Sequence, residues 1–95
     1  VRRFGKVDRN HNEITEALRA IGCSVRSTAS IGKGFPDLAV GRHGRTYLLE
    51  IKDGEQIPSK QELTEDEEKF FDEWLGHAVV VKSVDEAIEA VRDVS

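Results

Sequence analysis

The spacing of apolar positions changes several times along this chain, and each change marks an element. From about Asn10 to Ile21, residues Ile14, Ala17, Leu18 and Ile21 recur at helical spacing, and Gly22 is a natural stop. Cys23 to Thr28 alternates as a short strand does, with Cys23 and Val25 on one side. A loop, Ala29 to Gly34, leads into two runs of strand-type residues on either side of His43-Gly44, which predicts a β-hairpin. Asp53 to Leu63 lacks any period and reads as the longest segment without structure. Thr64 and Glu67 have capping-box spacing, and the acids from Glu65 to Glu68 suit the positive end of a helix dipole. Phe70, Phe71, Trp74 and Leu75 form the apolar face of that helix, with Gly76 ending it and with Phe70 and Trp74 expected in the core. Ala78 to Val81 reads as a buried strand. Ser83 and Glu86 repeat the capping-box spacing ahead of a last helix, with Ala87, Ile88 and Val91 inward. The predicted order is αβββαβα, one α/β domain over residues 1–95 with a mixed sheet flanked by helices.

The hairpin carries the chemistry. With His43 and Gly44 as central turn residues, paired positions sum to 87 and Asp37 falls opposite Glu50. Their Cβ atoms then lie roughly 5 Å apart on one face, and Lys52 shares that face while Ile51 points to the other. Two facing carboxylates repel, and a divalent cation between them reverses the sign of the interaction. Mg²⁺ and Mn²⁺ prefer such oxygen ligands and complete their shells with water and substrate phosphate oxygens. The plain alternative is an ordinary hairpin with solvated acids and Lys52 as their salt-bridge partner. Away from the acids both faces are apolar: Leu38, Val40, Tyr47, Leu49 and Ile51 on one, Ala39 and Leu48 on the other. A sheet of that kind needs helices on both sides.

Charge and composition narrow the setting. Ninety-five residues make one modest core, and no apolar run approaches the roughly 20 residues that span a membrane. No signal-peptide pattern opens the chain, and Cys23, the single cysteine, reads as a buried thiol in a reducing compartment. The net charge of −4 divides unevenly: residues 1–60 carry eleven Lys/Arg and seven Asp/Glu, residues 61–95 three and eleven. A nucleic-acid backbone responds to the face it meets and not to the total. Residues 1–9 are basic and aperiodic, either a frayed, flexible terminus or an arm on phosphates.

Around the hairpin, Glu13 borders the apolar stripe of the first helix and Glu16 points away from it. Glu13 is therefore the candidate third acid, the alternative being a plain boundary residue. Gly32 and Gly34 around Lys33 either let the backbone approach a phosphate or simply make a turn. Lys33, with Lys60 and Gln61 in the 53–63 segment, are the candidate DNA contacts.

Gly34-Phe35-Pro36-Asp37 followed by Glu50-Ile51-Lys52, with Glu13 in the preceding helix, resembles the PD-(D/E)xK nuclease motif. Tyr47 to Gly54, the Leu63-Thr64 helix start and the closing Val-rich strand with its Ser83-capped helix resemble the virus-type replication-repair nuclease (VRR-NUC) branch. The resemblance covers about residues 10–92. It implies a restriction-endonuclease-like core and a Mg²⁺- or Mn²⁺-dependent endonuclease, with the metal held by Asp37, Glu50 and the Ile51 carbonyl, and Glu13 joining directly or through water. Lys52 would position the attacking water or stabilise charge on the phosphate. Phage and bacterial members of this size imply a homodimer that resolves four-way DNA junctions, in a bacterial or phage-infected cytoplasm. Two alternatives remain: a non-catalytic DNA- or partner-binding module on the same fold, or a flap, exonuclease or restriction-type enzyme. One position departs from the family pattern: where many members carry Gln, this chain has Glu67-Glu68.

Overall fold

The expected hairpin register is present in the computed structural model, which describes residues 10–92. Strand β2 (Leu38–Arg42) pairs antiparallel with β3 (Arg45–Ile51), with Leu38 opposite Leu49 and Val40 opposite Tyr47. His43 and Gly44 both have positive φ, which a tight two-residue turn between twisted strands requires. The basic segment 1–9 lies outside the described residues.

Strand β1 (Ser24–Ser27) pairs antiparallel with β2, and β4 (Ala78–Val81) pairs parallel with β3. The result is a four-stranded mixed sheet in the order β1-β2-β3-β4. Helices α1 (His11–Ala20) and α4 (Val84–Ala90) pack on each other over one face. There Ile14 and Leu18 meet Val25, Leu38, Val40, Leu49, Ile51 and Val81, and Ala87 and Val91 close the core. Cys23 is buried, just ahead of β1.

Helix α1 ends in a Schellman motif: the amide of Cys23 donates to Leu18 O and that of Gly22 to Arg19 O. Gly22 takes the positive φ this needs. Ile21, expected inside, is 39% exposed because the helix has ended before it. The buried stripe is instead His11, Ile14 and Leu18. That rotation toward His11 moves Glu13 off the edge of the stripe and into solvent.

The connection from β3 to β4 holds two helices where one was expected, so the observed order is αβββααβα. Within the supposedly unstructured 53–63 segment, Pro58–Gln61 forms a helical turn, α2, with Pro at its start. The Gln61 side-chain amide donates to Gly54 O and Gln56 O and ties the segment to itself.

Helix α3 (Glu65–Glu73) has the complete capping box: Glu67 N donates to Thr64 Oγ1 at 3.2 Å and Thr64 N to Glu67 Oε1 at 2.9 Å. The second box is half formed. Glu86 N donates to Ser83 Oγ, but the Glu86 carboxylate accepts from Lys82 N and not from Ser83. The aromatic face of α3 also departs from expectation. Trp74 is the extended C-cap, 42% exposed, and Leu75 beyond it is fully exposed. Phe70 stacks on Trp74, and Phe35 packs edge-on against both. These rings gather beside the loop before β2 and not in the main core, because α3 lies on the face of the sheet opposite α1 and α4.

That docking depends on one glycine. Gly34 has φ +82°, and a Cβ there would run into the backbone carbonyl of Asp66 in the first turn of α3. The close approach anticipated at this loop is therefore to α3. Gly34→Ala combines strain with a backbone clash and is expected to cost about 2–4 kcal/mol, read as a lowered thermal midpoint. Gly32→Ala, with open space around it, carries the strain alone and serves as the comparison.

Candidate functional site

Where β2 begins, the chain leaves regular pairing and Asp37 substitutes for it. Its amide donates to Leu49 O at 2.9 Å, while its Oδ2 accepts from Ile51 N at 2.8 Å. Asp37 is thus clamped to β3 by its backbone and its side chain together. Thr28 holds the approach from the other side, its hydroxyl donating to Pro36 O and its amide to Asp37 O. Ile51 serves the site through its amide and keeps its side chain in the core.

Glu50 stands on the same face of β3 as Lys52, opposite the core face of Leu49 and Ile51. It is only 3% exposed, and its Oε1 is buried without a hydrogen-bond partner. Lys52 Nζ lies 3.8 Å from Glu50 Oε2 and donates to Glu67 Oε1 at 2.9 Å. Asn10, ahead of α1, ties the strand ends together by donating to Lys52 O and Lys82 O.

The three carboxyls do not share one charge state. Burial, then the charges of Asp37 and Glu67 and a hydrogen bond with Glu67, push Glu50 up to about 9; Lys52 opposes this without winning. Burial also raises Asp37, partly offset by the Ile51 amide and a hydrogen bond with Glu50. At Glu67 burial works against ionisation, but the Lys52 ammonium and the Thr64 amide outweigh it and hold the carboxylate low. Burial and mutual repulsion therefore favour a proton held by the Asp37–Glu50 pair at neutral pH.

A divalent cation suits that position. The donors are hard carboxylate oxygens, the orphaned Glu50 Oε1 is a lone pair without a partner, and a cation would replace the proton that the pair now needs. Asp37 and Glu50 are the residues that would hold it. Among the described residues no three His, Cys, Asp or Glu side chains converge so as to hold a metal, so water and substrate oxygens would complete the shell.

The structure brings Asp37, Glu50, Ile51 and Lys52 together and leaves Glu13, Lys33, Lys60 and Gln61 outside that group. Glu13 is exposed on the wall of a cleft of about 770 Å³, with Asn10, Asp53, Gly54, Lys82 and Glu86. Glu16 is exposed as well. Lys33 is exposed on the loop before β2 and Lys60 on α2, and Gln61 is occupied within its own segment. Two residues near the cluster were missed. His11, buried with Nε2 unpartnered, lies in the neighbourhood of Asp37. Its spacing to Ile14 and Leu18 was the available signal. Glu67, expected as the capping-box acid of its helix and as a departure from a family pattern, is in direct contact with Lys52.

What these features define is a small α/β protein with a four-stranded mixed sheet, helices on both faces, and a carboxylate–lysine cluster on the α3 side. Comparison with known proteins goes no further: no family model, no curated protein and no solved structure matches the chain.

Proposed function

We propose that this chain is a Mg²⁺- or Mn²⁺-dependent phosphodiesterase of the PD-(D/E)xK, VRR-NUC type that cuts DNA. The observation that carries the reading is the half-buried Asp37 beside the buried Glu50, with Lys52 next to them. A structural hairpin gains nothing from two acids sharing a proton below the surface, since an acid placed in water costs less. A bound divalent cation supplies activation of water and neutralisation of phosphate charge. Asp37, held to β3 by its clamp, and Glu50 would hold that cation. Lys52 presents its ammonium to the phosphate, where it stabilises the charge that builds up in the transition state.

The finer reading is a structure-selective endonuclease acting on four-way junctions as a homodimer. Two cuts related by two-fold symmetry need two sites, and the described residues of one chain carry one such cluster. Trp74 and Leu75 add exposed apolar surface beyond α3, suited to meeting a second copy. Among the described residues no helix is long and apolar enough to cross a membrane.

Incubation with linear duplex, flap and four-way junction DNA, with and without Mn²⁺, tests the activity and its preference. The expected result is Mn²⁺-dependent cleavage, fastest on the junction. Light scattering is expected to give twice the 10.6 kDa of one chain. A monomer mass that junction DNA in Ca²⁺ does not change would remove the junction-resolving reading and leave the phosphodiesterase.

A further inference from the structure

The Lys52 ammonium is not held by Glu50, two residues before it on the same face of β3. Its distance to Glu50 Oε2 is 3.8 Å, beyond hydrogen-bonding range, whereas Glu67 Oε1 accepts from it at 2.9 Å. The Lys52 side chain is 11% exposed and that of Glu67 16%, so the contact is shielded from water. An exposed ion pair contributes little and wanders; a shielded, charge-assisted hydrogen bond fixes a geometry.

The same Glu67 oxygen also accepts from Thr64 N, closing the capping box of α3. Glu67 is therefore anchored to the helix backbone before it reaches Lys52. The helix is seated in turn by the Asp66 carbonyl against Gly34, three residues ahead of Asp37. A chain of contacts runs from the loop bearing Asp37, through the first turn of α3, to the Lys52 ammonium.

From this geometry we infer that Glu67 is a positioning residue: it fixes the Lys52 ammonium at the reacting phosphate. The inference rests on the phosphodiesterase reading. A lysine side chain has four rotatable bonds, and the strand places only its Cβ. Without an anchor the ammonium swings toward the buried Glu50 carboxyl, 3.8 Å away, and competes with a cation for it. With the anchor, Lys52 stays on the α3 side and Glu50 keeps its Oε1 for the metal. Glu67 makes no contact with the reacting atoms in this role.

Three variants separate positioning from helix capping. Thr64→Ala removes the hydroxyl that accepts from Glu67 N and leaves the Lys52–Glu67 contact in place. Glu67→Ala removes both functions. Glu67→Gln keeps an acceptor oxygen for Lys52 and for Thr64 N while removing the charge. Thr64→Ala and Glu67→Ala are expected to lower the thermal midpoint by similar amounts. Only Glu67→Ala is expected to lower kcat, by about a hundredfold with KM nearly unchanged, since displacing a reacting group by about 1 Å has that effect. Glu67→Gln is expected to recover most of the loss.

A second readout needs neither metal nor DNA. The Lys52 Cε protons, assigned by their loss in Lys52→Arg, are expected to give two resolved, ordered NMR signals in the wild type. In Glu67→Ala they are expected to collapse to one averaged signal. Unchanged Lys52 signals in Glu67→Ala would overturn the inference. Equal losses of kcat in Thr64→Ala and Glu67→Ala would do the same, as would a faster enzyme in Glu67→Ala. A wild type without cleavage, but with Lys52 signals that depend on Glu67, would instead overturn the phosphodiesterase reading and keep Glu67 as the residue that fixes Lys52.

Discussion

Glu50→Gln is expected to abolish cleavage and to make the metal-free protein more stable at pH 8. Both effects follow from one feature, a carboxyl at the centre of an acidic, buried group. Altering partners that only support a metal ligand already costs about 10–100-fold, so changing a direct ligand is expected to cost at least about a hundredfold. The stability effect has the opposite sign because Glu50 has a folded-state pKa of about 9 against an ordinary 4.5. A group raised in this way favours the folded state fully below about pH 4.5, and that contribution fades as pH rises toward 9. Asp37, also raised, adds the same trend; Glu67, lowered, contributes the reverse trend as pH falls through its own range. Thermal melts in EDTA are thus expected to show the wild-type midpoint falling between pH 5 and 9, with a flatter profile for Glu50→Gln. Mn²⁺ is expected to raise the wild-type midpoint and to leave that of Glu50→Gln nearly unmoved. A variant melting below wild type at pH 8 would show that Glu50 is a stabilising residue and not a strained one.

Lys52→Ala is expected to lower kcat by about 10²–10³-fold while sparing Mn²⁺ affinity and junction affinity measured in Ca²⁺. A donor aimed at developing charge has about that weight, and it acts on turnover more than on ground-state binding. Its effect on the metal-free fold runs opposite to that of Glu50→Gln. Removing the ammonium leaves Glu67 without its 2.9 Å partner and the carboxyl cluster without its opposing charge, so the midpoint is expected to fall. Junction affinity lost in proportion to rate would make Lys52 an ordinary phosphate anchor.

Local rules carried the hairpin. A two-residue turn at His43-Gly44 determines every pair from Leu38–Leu49 to Arg42–Arg45, and period-two alternation then assigns Glu50 and Lys52 to one face. The Thr64 cap and the Gly22 stop were legible for the same reason, since each is satisfied within a few residues. What could not be read was tertiary. The phase of α1 was judged with Ala17 and Ile21 inside the buried arc, whereas the sheet selects His11, Ile14 and Leu18. A shift of that size turns Glu13 from the rim toward water. The aromatic residues of α3 fit a core stripe by spacing, yet their partner is Phe35, 35 residues upstream of Phe70. Nor does anything local join Gly34 to Asp66 or Lys52 to Glu67. Those contacts are tertiary: they join α3, in the connection between β3 and β4, to the β2–β3 hairpin and the loop before it.

The most direct measurement is Mn²⁺-dependent cleavage of a labelled four-way junction by wild type and Asp37→Asn in parallel, with Mn²⁺ binding to each followed by calorimetry. Wild type is expected to bind Mn²⁺ and cut the junction, and Asp37→Asn, still folded, to lose both. Cleavage by Asp37→Asn at the wild-type rate in saturating Mn²⁺, or Mn²⁺ binding indifferent to the substitution, would contradict a metal centre at Asp37 and Glu50.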